Sequence, residues 1–180
     1  MEKNNLDKVS KVFEPKNLVD DERLSINFIK RKFPNKIKKI LLITPPDGTE
    51  DLFQIGTAKR RRYPNYPAYG LGLLAQNLGN IGIEVSMINL NHEILKSANE
   101  NSEECFDFVK TYKDCLKKEV EKFSPDLACV TCMFTMTHNS LKQICAELKS
   151  LNIPVAAGGV HVTNDIDNVL KTYDLMSSKY

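Results

Sequence analysis

No run of this 180-residue chain approaches the roughly 18 consecutive apolar residues that a membrane-spanning helix needs. Its first stretch, MEKNNLDKVSKVFEPKNLVDDERL, lacks the apolar centre of a secretory signal. A cytoplasmic protein with no membrane partner is the expectation. No strong excess of basic charge is present either. The net charge is +2 with acids and bases well mixed, which argues against a nucleic-acid partner. Cysteine is scattered and odd in number: Cys105, Cys115, Cys129, Cys132 and Cys145. A secreted disulfide framework is denser and usually even, so reduced and mostly buried thiols are expected. The phosphate loops GxGxxG and GxxxxGK[ST] are absent, and GLGLLAQNLG fits neither spacing. A GxSxG nucleophile elbow is absent too, and three scattered histidines make no case for hydrolase chemistry.

What remains has the texture of one soluble domain with a polar preface. Residues 1–37 carry no clear hydrophobic period and read as an N-terminal extension, partly helical through Leu18, Leu24, Ile26 and Phe28. There Asp20, Asp21 and Glu22 precede Lys30, Arg31 and Lys32, the favourable order for a helix dipole. Residues 38–180 read differently. KKILLITPP is a continuous apolar run stopped by two prolines, as suits a strand buried on both faces. A helix is expected from Tyr69 to Leu78, with Leu71, Leu74 and Leu78 at helical spacing and Gly79 or Gly82 closing it. IEVSMINLN reads as the second strand, followed by a polar connection. A helix then carries Val109, Tyr112, Leu116, Val120 and Phe123 on one face.

DLACVTCMF is the third strand. The helix after it turns Leu141, Ile144, Cys145 and Leu148 inward, with Thr137 or Asn139 as its cap. IPVAAGG is the fourth strand, and Asn164 or Asp165 opens a last short helix through Val169 and Leu170. Alternating strands and helices predict an α/β, flavodoxin-like (Rossmann-like), doubly wound parallel sheet. The expected strand order is 2-1-3-4, with edge strand 5 missing or stunted at YDLMSSKY. The domain over 38–180 is therefore expected to be truncated at its C-terminal end.

Open parallel sheets bind ligands beyond the C-terminal ends of their strands, where the strand order reverses. Three features converge there. One is the segment from Pro45 to Tyr66, about twenty residues where such loops usually take 2–6. Its end, RRRYPNYPAYG, combines Arg60, Arg61 and Arg62 with Tyr63, Tyr66 and Tyr69, rings able to lie flat on a planar ligand. The alternative is a solvated surface insertion. The second feature is CVTCMFTMT, where Thr131 and Thr135 offer hydroxyls and Met133, Phe134 and Met136 offer soft apolar contact. Its CxxC is not read as a metal or redox pair, because alternation sends Cys129 and Cys132 to opposite faces. The third is GGVHVT: Gly158 and Gly159 permit close backbone approach, and the helix after them offers its N-terminal amides. His161 is either a ligand contact or a hydrogen-bonded structural residue. His92 and His138 read as structural or exposed.

The ordered series KILLITPP, YPAYGLGLLAQNLGNIGIEVSMINLN, FSPDLACVTCMF and IPVAAGGVHVT resembles the N-terminal cobalamin-binding domain of cobalamin-dependent radical S-adenosylmethionine enzymes. The likeness covers roughly residues 38–170. It implies a corrinoid across the strand ends, with its nucleotide tail beside the sheet. Pro45, Pro46, Tyr69, Gly70, Thr131, Cys132, Met133, Thr135, Gly158, Gly159 and His161 would line it. Two departures stand out. The Asp-x-His-x-x-Gly loop, whose histidine ligates cobalt in other cobalamin proteins, is absent after strand 1, and NLNHEI after strand 2 lacks the pattern. The Cys-x-x-x-Cys-x-x-Cys motif for an iron-sulfur cluster is absent as well, since successive cysteines lie 10, 14, 3 and 13 residues apart. No catalysis and no protein metal ligand are therefore expected of this chain. The cluster and S-adenosylmethionine would belong to a radical catalytic domain, in cis or trans, of methyltransferase type. Two other readings compete: a flavodoxin-like regulatory module for a nucleotide or other ligand, and a ligand-free fragment whose exposed strand 4 seeks a partner.

Overall fold

The computed structural model describes residues 36–177, together with residues 27, 30, 31, 33 and 34. The expected N-terminal helix through Leu18, Leu24, Ile26 and Phe28 lies outside the described residues. The chain divides into two units, Met1–Lys36 and Ile37–Tyr180. In the first, the Arg31 Nε–H donates to the Asn27 carbonyl at 3.4 Å. The second unit holds the sheet and the helices packed on it.

Its sheet has four parallel strands, β1 (Lys39–Thr44), β2 (Glu84–Asn89), β3 (Leu127–Thr131) and β4 (Val155–Gly158), in the order β2-β1-β3-β4. This is the flavodoxin-like doubly wound arrangement. The helices are α1 (Ile55–Lys59), α2 (Tyr69–Asn80), α3 (Leu90–Glu100), α4 (Phe108–Phe123), α5 (His138–Ser150), α6 (Val160–Asn164) and α7 (Ile166–Ser177). Helix α7 runs through Tyr173–Ser177, where the sequence leaves strand 5 missing or stunted.

Strand alternation divides β1 between two faces. Leu41 and Ile43 join Ala128 and Val130 of β3 in the main core. Leu90 and Ile94 of α3, Phe108, Tyr112, Leu116 and Val120 of α4, and Leu141, Ile144, Cys145 and Leu148 of α5 close over them. Ile40 and Leu42 belong to the opposite face, and no residue of α2 joins the main core. Helix α2 packs near the edge strand β2 and buries none of its side chains. Leu71, Ala75 and Leu78 are half-buried, whereas Leu74, expected inward, is 43% exposed. The last turn closes at Gly82, φ +82°, whose amide donates to the Gly79 carbonyl. Toward β4 the second face stays open: Ala156 and Gly158 are exposed.

The polar connection after strand 2 is helix α3. Asn89 caps it by accepting from the His92 amide at 3.0 Å, and Leu90, Ile94, Leu95 and Ala98 form its buried stripe. Charged residues between these positions masked the period. Helix α3 then seats the long segment after β1. A small cluster of Ala58, Leu95 and Ala98 is flanked by Phe53, Ile55, Tyr63 and Phe106. Phe53 stacks on Tyr63 at 5.2 Å and 7°. The Tyr63 hydroxyl accepts from the Gln54 amide at 2.9 Å. Asn91 Nδ2 donates to Asp47 Oδ2 at 3.1 Å and to the Pro64 carbonyl at 3.2 Å. The segment is thus folded, and Tyr63 is consumed in holding it down.

The Pro-Asp-Leu start of β3 is a fastening at the other end of the sheet. The Asp126 carboxylate accepts from the Lys38 and Lys39 amides at 2.8 and 2.9 Å. These bonds hold its carboxyl below the usual carboxylate range. A depressed folded value gives stability that is present above the ordinary value of 3.8 and lost as pH falls through the folded one. Asp126→Ala is expected to cost about 1 kcal/mol at neutral pH, discounted for its exposure, and to flatten acid sensitivity. Urea midpoints across the acid range check both.

Candidate functional site

The candidate site lies where β1, β3 and β4 end. Thr131 pairs with Gly158, and one step below Ile43 pairs with Val130. Beyond the ladder the β3 and β4 chains stay in contact. The Cys132 amide donates to the Gly158 carbonyl at 2.7 Å, and the His161 amide donates to the Cys132 carbonyl at 3.1 Å. Gly159 sits at φ +110°, ψ 170°, a region only glycine uses freely. A Cβ there would stand 2.5 Å from the Cys132 carbonyl oxygen. So the Thr131–Met133 tip and the two-glycine turn form one ledge.

The two glycines do different work. Gly159 lets the chain pass the Cys132 peptide. Gly158 faces open space, since a Cβ built on it meets nothing within 4 Å. Around them stand exposed apolar side chains: Met133, Phe134, Met136 and Val160, between 49% and 68% accessible. Thr135 is exposed on the short turn Thr135–Thr137. Tyr69, 77% accessible, and Gly70 begin α2, which the parallel topology starts from this end of the sheet. Tyr66 is equally free at 80%. Pro45 and Pro46 are buried and turn the chain out of β1.

Two side chains expected to line the site turn inward. Cys132 is fully buried in the core, its Sγ 3.2 Å from Thr137 Oγ1, and burial pushes the thiol's pKa up. Only its backbone shapes the ledge. Cys129 belongs to the opposite face and is likewise raised by burial. None of the five cysteines forms a disulfide. His161 is buried, with Nε2 2.9 Å from His138 Nδ1 and the rings edge to face. Because the His161 amide is bonded to Cys132, it is not free to meet a ligand as a helix N-terminal donor. Both histidines border an open cavity of about 430 Å³ with Thr135, Asn139, Asp165, Asn168 and Lys171. Thr137 precedes α5 without a side-chain cap, since its hydroxyl donates to the Phe134 carbonyl at 2.8 Å. His92 is exposed, its Nδ1 2.9 Å from Asn65 Nδ2.

The sequence reading missed Thr44. Its Oγ1 is the buried side-chain oxygen without a hydrogen-bond partner among the described residues. The available signal was a hydroxyl closing the otherwise aliphatic run ILLI, ahead of two prolines. Asp47, two residues beyond Pro45, has its carboxyl pushed up by burial. No group of three or more His, Cys, Asp or Glu able to hold a metal occurs among the described residues. None of the described helices is long and apolar enough to cross a membrane.

A flat macrocycle with polar arms suits this geometry. The apolar rim can meet its faces, and an orphan hydroxyl and a side-chain-free glycine adjoin it. The B12 binding domain model matches residues 59–176, about two-thirds of the chain. The chain therefore belongs to the B12 binding domain family, whose ligand is cobalamin. The matched span opens at the end of α1 and closes within α7. Among curated proteins no match is found.

Proposed function

We propose that this domain holds a cobalamin on the ledge formed by the ends of β1, β3 and β4 and presents it to a radical S-adenosylmethionine catalytic domain, in cis or trans. The supporting observation is the fused β3–β4 rim: the Thr131–Gly158 pair continues into the Cys132–Gly158 and His161–Cys132 bonds, beneath exposed Met133, Phe134 and Met136. In this reading the chain's residues bind, orient and exclude water. Met133, Phe134, Met136 and Tyr69 cover the ring; Thr131 and Thr135 bond its amide arms; Pro45, Pro46 and Gly70 set the wall; Gly158 leaves room. When bound, the cobalamin would supply a cobalt centre able to accept and release a methyl group. Radical chemistry, with its cluster and S-adenosylmethionine, belongs to the catalytic partner, because this chain has no Cys-x-x-x-Cys-x-x-Cys.

Addition of hydroxocobalamin followed by desalting tests binding. A protein fraction that keeps the corrin absorption at near-equimolar content is expected. A colourless fraction under both reducing and non-reducing conditions would count against the proposal.

A further inference from the structure

We infer that Asn91 is a positioning residue: from the first turn of α3 its side chain ties together both ends of the long segment after β1, and so fixes where the Tyr66 ring meets the ligand. The stretch Asn89–His92 gives each residue a separate task. Asn89 caps α3, Leu90 is fully buried, and His92 Nδ1 lies 2.9 Å from Asn65 Nδ2. Asn91 has the widest reach. Its Oδ1 accepts from the Asp47 amide at 3.2 Å, and its Nδ2 donates to Asp47 Oδ2 at 3.1 Å and to the Pro64 carbonyl at 3.2 Å. Asp47 directly follows Pro45 and Pro46, and Pro64 and Asn65 directly precede Tyr66.

Asparagine is the shortest side chain that carries two donors and an acceptor on one planar group. Aspartate lacks the donors and would set a like charge against Asp47, and leucine lacks both functions. A flipped amide would oppose donor to donor at the Asp47 amide, so the bonding pattern fixes its orientation. Between the two tied ends the segment is held again by the Phe53–Tyr63 stack. Pro64 and Pro67 restrict the backbone on either side of Tyr66. Tyr66 does not join the core and is 80% accessible, yet the chain that carries it is fastened. A free ring on a fixed carrier loses little freedom when it meets a ligand, which is the use of such a fastening. Tyr66 thereby joins Tyr69 as an apolar contact for the ring.

The inference rests on the cobalamin reading, and titration of the full chain and its variants with hydroxocobalamin separates the two. Tyr66→Ala and Asn91→Ala are each expected to bind roughly tenfold more weakly. The double variant is expected to bind about as weakly as either single one, because a ring whose carrier has been released has little left to lose. A role in stability alone would lower the melting temperature and leave the two losses additive, at about a hundredfold. Asn91→Asp is expected to bind at least as weakly as Asn91→Ala. Adding Asp47→Asn to it exchanges donor and acceptor across the pair and is expected to recover at least about threefold in affinity. That comparison stands even where Asn91→Ala fails to fold. Wild-type affinity in Asn91→Ala or Tyr66→Ala, additive losses, or no recovery on the exchange would overturn the inference alone. Failure of the wild-type chain to bind hydroxocobalamin would overturn the cobalamin reading and the inference with it.

Discussion

Gly159→Ala is expected to lose about 4 kcal/mol of stability or more. Two independent penalties combine. The backbone at φ +110°, ψ 170° lies where side chains are essentially excluded, which costs roughly 1–3 kcal/mol. The new Cβ would also stand 2.5 Å from the Cys132 oxygen, 2.9 Å from its carbon and 3.0 Å from its nitrogen. These are backbone atoms held by bonds to Gly158 and His161, so they cannot yield as a flexible side chain would. Relief requires parting β4 from the end of β3. Equilibrium urea unfolding measures the loss. An unfolding midpoint equal to wild type would show that the rim is not fixed as described.

Gly158→Leu is expected to do the reverse. Its Cβ has nothing within 4 Å, and its backbone is not in the left-handed region. Stability should hold within about 0.5 kcal/mol, since a strand glycine is not a favoured residue in the first place. Cobalamin affinity, however, should fall by at least ~100-fold, because a leucine would occupy the space beside Thr131 where the ligand must pass and cannot be packed without strain. Neighbouring glycines thus separate folding from binding. Titration of Gly158→Leu with hydroxocobalamin, with its urea curve as the control, gives the comparison. Unchanged affinity would move the ligand away from this rim.

Much of the frame was legible because its signals are local. Apolar runs such as KKILLIT and DLACV state buried strands directly, and the stripe Leu141, Ile144, Cys145 and Leu148 of α5 is a clean helical face. Helix α3 was hidden because Asn91, His92, Glu93, Lys96 and Ser97 interrupt its stripe, and only its packing against α4 and the folded loop shows the period. In the sequence Tyr63, Tyr66 and Tyr69 look alike, as rings able to lie flat on a ligand. In fact Phe53 stacks on Tyr63 and leaves only Tyr66 and Tyr69 free, a division that no spacing rule announces.

The ledge was legible in outline, since Thr131 and the two glycines close consecutive strands of a parallel sheet. Its interior assignments were not. His161 turns to His138 and Cys132 turns to Thr137, both partnerships set by tertiary contact. Thr44 was overlooked for the opposite reason. Its signal is the absence of a partner, and an absence appears only once every neighbour has been placed.

Amide hydrogen exchange, with and without hydroxocobalamin, tests the seat of the ligand most directly. Cobalamin on the strand-end ledge predicts slowed exchange at Met133–Met136 and around Gly158–Val160. Little change is predicted at Lys38, Lys39 and Asp126, which fasten the far end of the sheet. Protection confined to that far end, or spread evenly over the chain with the ledge unchanged, would contradict the account.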